Sequence, residues 1–69
     1  MTPEELEARF TYHAPKGDQA QRYQRIRSDA AQFAALLDDL VPESREKSLA
    51  LTSLEQAVMW ANAAIARRE

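Results

Sequence analysis

Residues 36–47 of the chain, LLDDLVPESREK, contain the break that divides its helical sequence into two parts. The residue before a proline avoids the helical region of backbone conformation, so Val41 is expected to end one helix. Ser44 can accept a hydrogen bond from a free backbone amide, which makes it a favourable N-cap for the next helix. Because a short connection between two long helices makes them antiparallel neighbours, this stretch predicts an α-helical hairpin.

The sequence on each side of this break carries apolar residues at helical spacing. Intervals of three and four residues alternate in both parts, which is the pattern of a helix with one buried face. The first stripe consists of Tyr23, Ile26, Ala30, Phe33, Leu37 and Leu40, and the second of Leu51, Leu54, Val58, Ala61 and Ile65. We therefore predict one helix from its N-cap Asp18 to about Leu40, and another from its N-cap Ser44 to about Arg67.

The N-terminal residues predict a third, shorter helix. Thr2 can cap it, Pro3 suits its first position, and Glu5 completes a capping box, so this helix is expected to end at about Arg9. A proline and the only glycine of the chain interrupt the periodicity of residues 10–18, which predicts a loop. No segment alternates with a period of two residues, so no strand is expected.

The predicted fold class is all-α: a short N-terminal helix, a loop, and an antiparallel hairpin of two long helices, in a single domain over residues 1–69. A chain of this length buries only about 60% of its unfolded surface, so a core of its own is marginal. The chain has no Cys and one His, so we expect no disulfide, no metal site and no other cofactor to reinforce it. Assembly into a homo-oligomer is the remaining means of stabilisation.

Apolar residues also occur on the sides of the long helices that face away from the stripes. Leu49 and Trp60 lie opposite the stripe of the third helix, Met59 lies at its flank, and Leu36 points away from the stripe of the second. A two-helix hairpin cannot cover both faces of one helix, and exposed apolar patches mark interfaces. We expect these four residues to form the interface of a closed, symmetric oligomer. The alternative is that the first helix and the loop fold over them.

Charge is distributed unevenly along the chain, whose net charge is −2. Residues 9–27 carry five basic residues and one acidic residue, whereas residues 28–55 carry six acidic and two basic residues. This pattern fits a local anion site better than a DNA or RNA polymer, which favours a broad basic face. No apolar run approaches the ~20 residues of a membrane span, and no signal peptide is recognisable. We expect no membrane partner, and the lack of cysteine fits the cytoplasm.

The loop between the first two helices holds the densest group of candidate binding residues. A helix N-terminus favours phosphate, so Lys16 and His13 just before the second helix could contribute to an anion site. The Tyr12 ring could stack on a nucleobase. The other interpretation is structural: Phe10 and Tyr12 fill the hairpin core, Lys16 is solvated, and His13 hydrogen-bonds within the loop. For Phe10 the structural interpretation is favoured; for Tyr12 both stay open.

The arginines of the second helix differ in their position relative to the apolar stripe. Arg22 and Arg27 flank it and could close over a pocket at a helix or protomer boundary, where Arg binds phosphate with two hydrogen bonds. Salt bridges to acidic residues are the alternative for both. Arg25 lies further away and is expected to be solvated near Asp29, one helical turn along. Asn62, near the stripe of the third helix, either sets helix register or meets a ligand; register is favoured.

Catalysis has little support in the sequence. No Cys/His or Ser/His/Asp group, glycine-rich phosphate loop, HExxH or CxxC motif is present. The acidic residues lie mainly on polar helix faces, and Arg67 and Arg68 complement the dipole at the end of the third helix without needing a ligand. We therefore expect a binding protein and not an enzyme.

Several segments together resemble a known family. They are Phe10-Thr11-Tyr12-His13-Ala14-Pro15, Arg22-Tyr23 with Ile26-Arg27, Pro42-Glu43-Ser44-Arg45-Glu46, and residues 57–67, AVMWANAAIAR. In these segments the chain resembles the small phage anti-CBASS sponges and the related Thoeris anti-defence sponges. The resemblance covers residues 10–67. It implies a helical protein that assembles as a compact hexamer and acts in the host bacterial cytoplasm.

The resemblance also implies a function. Such sponges bind cyclic oligonucleotide messengers made by bacterial immune cyclases and keep them from their effectors without cleaving them. Cyclic dinucleotides lie in pockets shared by two protomers, some members bind cyclic trinucleotides at separate sites, and some relatives bind cyclic ADP-ribose isomers. By this resemblance Tyr12 is the tyrosine that stacks on a base, and Arg27, with Arg25 as the neighbouring alternative, is the basic residue that contacts phosphate. His13 and Lys16 complete the candidate ligand site.

Two other functions remain possible at the level of sequence. The apolar back face and the basic segment could instead dock a host or phage protein, in which case the chain is a helical protein-interaction module. The chain could also be a plain structural hairpin. Binding of a cyclic nucleotide distinguishes the sponge from both.

Overall fold

A computed structural model describes all 69 residues of the chain and shows three helices. Helix α1 spans Pro3–Phe10, α2 spans Gln19–Leu40 and α3 spans Arg45–Arg68, and there is no strand. Helices α2 and α3 pack against each other over their length as a hairpin, and α1 packs against α3 alone. The predicted fold class is confirmed, and each predicted helix end lies within one residue of the observed one.

Two of the predicted helix caps are confirmed. The Thr2 hydroxyl accepts a hydrogen bond from the Glu5 amide at 3.1 Å, and the Ser44 hydroxyl accepts one from the Lys47 amide at 3.1 Å. The capping box at α1 is only half formed, because the Glu5 carboxylate does not return to Thr2. That carboxylate binds Arg9 and Arg68 instead, where two guanidinium groups compensate its charge better than one backbone amide would.

Asp18 is the N-cap residue of α2 as predicted, but the expected hydrogen bond from its side chain to a backbone amide is absent. The side chain accepts a hydrogen bond from Arg22 Nε at 3.2 Å instead. The chain enters α2 through a turn in which the backbone N–H of Gln19 donates a hydrogen bond to the backbone carbonyl of Lys16. Gly17 in this turn has φ of +56°, a left-handed conformation that a residue with a Cβ adopts only with strain.

The apolar stripes of α2 and α3 meet in the hairpin as predicted, but they form a thin interface. All five residues of the α3 stripe are half-buried, as are Tyr23, Ile26, Ala30 and Leu37 of α2. Phe33 and Leu40 remain exposed. No apolar residue is fully buried anywhere in the chain, so the hairpin has an apolar seam and no closed core.

The two buried residues are both polar, and they lie at opposite ends of the hairpin. Gln19 is 4% exposed; its amide nitrogen donates to the Ile65 carbonyl at 3.4 Å and to Glu69 Oε1 at 3.1 Å. Lys47 is 5% exposed; its ammonium group donates to the Asp38 carbonyl at 3.0 Å. Gln19 therefore links the start of α2 to the end of α3, and Lys47 links the start of α3 to the end of α2. Together they set the register of the two helices.

The single chain has the shape of a flat plate. It measures 45 × 29 × 13 Å, and a thickness of 13 Å is little more than the diameter of one helix. Its radius of gyration is 15.2 Å, whereas a compact chain of this length has about 11 Å. Its accessible surface is 5474 Å², against about 4,400 Å² for a compact monomer of this mass. One layer of helices leaves two broad faces uncovered.

The residues predicted to form an oligomer interface lie on these uncovered faces. Trp60 is 67% exposed, and Leu36, Leu49 and Met59 are exposed as well. Phe10 at the end of α1 shares a cleft of about 470 Å³ with Trp60, yet both rings remain open to solvent. The alternative that α1 and the loop cover the apolar back face is therefore wrong. Burial of these residues between protomers stays a prediction.

The helices are not of a kind that crosses a lipid bilayer. None of the three is both long enough and apolar enough to serve as a transmembrane span.

Candidate functional site

An open cleft of about 370 Å³ lies where the loop, α2 and α3 meet near the end of α1. It combines basic, aromatic and small side chains, and no acidic side chain lines it. We call it the tyrosine–arginine cleft; its lining residues are Arg9, Thr11, Tyr12, His13, Tyr23, Arg27, Asn62, Ala63, Ala66 and Arg67. Three of the five residues predicted to bind ligand, Tyr12, His13 and Arg27, are thus brought together.

The loop segment that carries Tyr12 is held by its neighbour His13. The His13 ring is half-buried, and its Nε2 lies 2.8 Å from the carbonyl oxygen of Ala8 in α1. A carbonyl only accepts, so Nε2 carries the proton and donates in this contact. This bond folds the loop back onto α1 and leaves the Tyr12 ring 83% exposed at the cleft. Of the two interpretations left open for Tyr12, the one in which it fills the hairpin core is therefore wrong, and the open ring face is available for stacking.

The Phe10 side chain is not part of the core either. The ring is 82% exposed, and it lies beside Trp60, Arg9 and Arg67 in the neighbouring cleft. The ring thus lies at the end of α1, outside the seam between α2 and α3. The structural interpretation favoured for Phe10 from the sequence is therefore wrong.

The cleft carries three arginines with different pairing. Arg27 of α2 and Arg67 of α3 form no ion pair with any residue of the chain. Arg9 is paired through its Nε with Glu5 at 3.0 Å and stays half-exposed. A guanidinium without an acidic partner keeps its donors available for a phosphate or carboxylate. Arg27 and Arg67 thus bring two guanidinium groups without an acidic partner to the cleft.

Lys16 and Arg25, the other two candidate ligand residues, lie outside this cleft. The Lys16 ammonium group donates to the backbone oxygen of Glu69 at 2.8 Å. Arg25 Nε donates to Asp29 Oδ2 at 2.8 Å, as expected one helical turn along, and this carboxylate raises the pKa of Arg25. Because both cations already have partners elsewhere, a role for them in ligand binding stays a prediction.

Arg22 follows the salt-bridge alternative left open by the sequence. Its guanidinium pairs with both carboxylate oxygens of Glu69, with Nη1 to Oε2 at 2.9 Å, and its Nε binds Asp18. The hydrogen bonds from Arg22 and then from Gln19 lower the pKa of Glu69 to about 2. Arg22 is therefore a link between the ends of α2 and α3 and does not reach the cleft.

Comparison with known protein families gives one match. The family model described as Acb2/Tad1, hairpin domain, matches residues 2–66, which is nearly the whole chain. The chain belongs to the Acb2/Tad1 hairpin family. Acb2 is the anti-CBASS sponge and Tad1 the Thoeris anti-defence protein, so the resemblance stated from the sequence is confirmed. Searches among curated proteins and among solved structures found no match.

The Acb2/Tad1 family is known for binding cyclic oligonucleotide signals, and it is a family of sponge-type binding proteins. The hairpin of its name corresponds to α2 and α3 here. No three His, Asp or Glu side chains in the chain come together as a metal site. The chemistry of the cleft, with free guanidinium groups and tyrosine rings, is suited to an aromatic anion such as a nucleotide.

Asn62 also faces the cleft of this Acb2/Tad1 chain. Its Oδ1 is buried and accepts no hydrogen bond, so Asn62 does not hold the helices in register through that atom. The favoured sequence interpretation assigned this role to Asn62, whereas the structure gives it to Gln19 and Lys47. Asn62 therefore brings an unpaired amide oxygen to the tyrosine–arginine cleft.

The sequence did not identify three of the cleft residues, namely Arg9, Tyr23 and Arg67. The α2 stripe accounts for Tyr23 and the helix dipole accounts for Arg67, so neither residue by itself indicates a ligand site. The spacing along α3 does not indicate Arg67, because Asn62, the cleft residue of α3 that stands out as a polar residue near the apolar stripe, lies five residues earlier and on another side of the helix. Arg9 gives no signal either, because its place depends on how α1 crosses α3.

Proposed function

We propose that this Acb2/Tad1 chain binds cyclic oligonucleotide second messengers and sequesters them without cleaving them. One observation carries the proposal: the exposed Tyr12 ring and the unpaired Arg27 guanidinium lie in the same cleft. Sequestration of these messengers would block bacterial anti-phage signalling. A protein with this role, encoded by a phage, would act in the cytoplasm of the host bacterium.

The cleft chemistry explains how such a ligand would be held. Arg27 and Arg67 would bind phosphate through paired, charge-assisted hydrogen bonds. Tyr12 would stack on one base with its open face, a contact worth about 1–3 kcal/mol per base. The cleft lies open on one side of a plate only one helix thick, so one chain would cover a single face of the ligand.

A second copy of the chain would complete the site. A cyclic dinucleotide carries two bases and two phosphates, so two protomers related by a two-fold axis would contribute Tyr12 and Arg27 twice. The excess surface of the single chain favours such an assembly, since a plate with no buried apolar residue gains stability from covering its faces. We propose that Leu36, Leu49, Met59 and Trp60 form these interfaces, within the hexamer that the family resemblance implies.

Isothermal titration calorimetry tests the function directly. The purified chain is titrated with cyclic dinucleotides, cyclic trinucleotides and cyclic ADP-ribose isomers, with linear dinucleotides as matched controls. We expect saturable heat with at least one cyclic dinucleotide, and mass spectrometry of the denatured complex should return the ligand intact. Absence of heat with every cyclic nucleotide would refute binding, and recovery of a linear product would refute sequestration without cleavage.

A protein-interaction module is the second candidate function, and one surface favours it. A groove of about 440 Å³ between the long helices is lined mainly by apolar side chains, among them Ala30, Ala34, Leu51, Val58 and Met59. An amphipathic helix of a host or phage protein would fit such a groove. A chain that binds no cyclic nucleotide but captures a defined helical partner would favour this function.

A further inference from the structure

Helix α1 has little apolar packing to keep it in place. It contacts α3 but not α2, none of its residues is buried, and its one leucine, Leu6, is exposed. A helix of eight residues is also too short to be stable in isolation. Contacts other than apolar burial must therefore fix the position of α1 on α3.

The strongest of these contacts is the ion pair between the Glu5 carboxylate of α1 and Arg68 of α3. Glu5 accepts hydrogen bonds from Arg68 Nη1 at 2.9 Å and Arg68 Nη2 at 2.8 Å, a two-pronged pair between α1 and α3. The same carboxylate accepts from Arg9 Nε at 3.0 Å. Glu5 is only partly exposed, and its arginine partners, Arg68 first, lower its pKa to about 2. It therefore stays ionised throughout the neutral range.

The position of α1 determines the position of cleft residues. Arg9 lies one turn after Glu5 and is oriented by it toward the cleft. His13 is hydrogen-bonded to Ala8 of α1, so displacement of α1 would also displace the loop that presents Tyr12. Glu5 itself does not line the cleft.

We propose that Glu5 is a positioning residue of the tyrosine–arginine cleft: by fastening α1 to α3 through Arg68, it holds Arg9 and the Tyr12 loop ready for the ligand. This inference rests on the proposed function. A cleft that is ordered before the ligand arrives saves the entropy of ordering it on binding. Loss of the fastening should act mainly on the lifetime of the complex, because a loosened loop releases the ligand sooner.

The test compares Glu5→Gln with Glu4→Gln, which removes the same charge from the same first turn at an exposed position without an ion pair. Hydrogen exchange of residues 6–13 and binding kinetics of a cyclic dinucleotide are measured for both. For Glu5→Gln we expect faster exchange in this segment and dissociation about fivefold faster, with α2–α3 exchange and association unchanged. Glu4→Gln should match the wild type, and Glu5→Asp should recover part of the loss.

Arg68→Gln provides the second arm. If Glu5 acts through Arg68, the double variant should show the exchange and dissociation rates of Glu5→Gln, because both variants lack the same contact between α1 and α3. Arg68→Gln leaves the Glu5–Arg9 pair in place, so its effect should be equal to or smaller than that of Glu5→Gln. Additive losses in the double variant, or wild-type exchange in Glu5→Gln, would overturn the inference. If the wild type binds no cyclic nucleotide, the proposed function fails, and the exchange of residues 6–13 alone decides whether Glu5 fastens α1.

Discussion

The ammonium group of Lys47 lies 2.9 Å from Asp38 Oδ1 and 3.0 Å from the Asp38 carbonyl oxygen, so the first turn of α3 closes the last turn of α2. Glu43 in the connection binds the same ammonium group. The last backbone carbonyls of a helix have no hydrogen-bond donor within the helix. Lys47 donates a hydrogen bond to one of these carbonyls, that of Asp38 in α2. A buried cation with this set of acceptors sets the geometry of the hairpin connection.

Replacing Lys47 by Met should destabilise the hairpin. Met keeps an unbranched apolar stem in the buried position, but the Asp38 carbonyl loses its donor and two neighbouring carboxylates lose their shared cation. We expect the melting temperature to fall by about 5–10 °C in circular dichroism at fixed protein concentration. Arg45→Met, at an exposed position without an ion pair two residues earlier, serves as the control and should change it little. Equal melting temperatures for the two variants would contradict the structural role of Lys47.

The local pattern of the sequence was sufficient to predict the helices. Val41 before Pro42, the Ser44 cap and the two stripes depend on residues within one or two turns of each other. The helix end and the cap are confirmed, and the stripes meet as predicted except at Phe33 and Leu40, which are exposed. The Asp18 cap failed because Arg22, one turn away, offers the carboxylate a charged donor. A local pattern lists possible partners for a side chain but does not rank them.

The burial of Gln19 and Lys47 was outside the reach of such patterns. Both positions are polar, and they are buried only because α2 and α3 overlap at those points. Local sequence patterns likewise predict only some of the residues of the tyrosine–arginine cleft. Tyr12 and Arg27 were predicted, whereas Arg9 depends on Glu5 meeting Arg68, a contact between residues 63 positions apart. Sequence spacing carries no information about that contact.

Acid should destabilise the fold through two carboxylates. The pKa of Glu5 and that of Glu69 are each lowered from 4.5 to about 2 by their arginine partners. A carboxylate with a depressed pKa stabilises the folded state fully above its unfolded value, and this contribution is lost as the pH falls. Between pH 4.5 and pH 2 the unfolded chain takes up protons that the folded chain does not.

The measurement is the melting temperature of the wild type and of a Glu5→Gln/Glu69→Gln variant from pH 6 to pH 2. We expect the wild type to lose about 5–10 °C more than the double variant over this range. Glu4→Gln/Glu7→Gln removes two acidic side chains that form no ion pair and should follow the wild type. Parallel curves for the wild type and the Glu5/Glu69 variant would show that these ion pairs do not govern acid stability.

Arg27→Ala and Tyr12→Ala should each weaken cyclic dinucleotide binding. Removal of Arg27 deletes charge-assisted hydrogen bonds to phosphate, for which we expect a loss of about ten- to a hundredfold in affinity. Tyr12→Ala deletes the stacking contact that each of the two protomers makes with a base, so we expect its affinity to fall by at least about five- to a hundredfold, the effect of one such contact. Tyr12→Phe keeps the aromatic ring and should retain most of the affinity.

These affinities are measured by calorimetry, and the assembly is checked by sedimentation, which should be unchanged in both variants. Arg45→Ala is the matched control for Arg27→Ala. The Arg45 guanidinium is also exposed and without an ion pair, but it lies at the start of α3, far from the cleft at the end of that helix. The Arg27 loss should diminish in high salt, since phosphate contacts are screened. Wild-type affinity in both variants would remove Tyr12 and Arg27 from the site.

Trp60→Glu should break the assembly. Trp60 is 67% exposed in the single chain and lies on the face of α3 that the hairpin leaves open. If protomers cover this face, a carboxylate in place of the indole would be buried without a partner, which is far more costly than its exposure to water. We expect sedimentation velocity to show a smaller species than the wild type, with weaker cyclic dinucleotide binding because the ligand site needs a second chain. Gln21→Glu introduces the same charge at an exposed polar position of α2 and should leave the assembly intact. A Trp60→Glu chain of wild-type size, or a wild type that already sediments as a folded monomer, would show that this face is not the interface, and the two-chain ligand site would have to be abandoned with it.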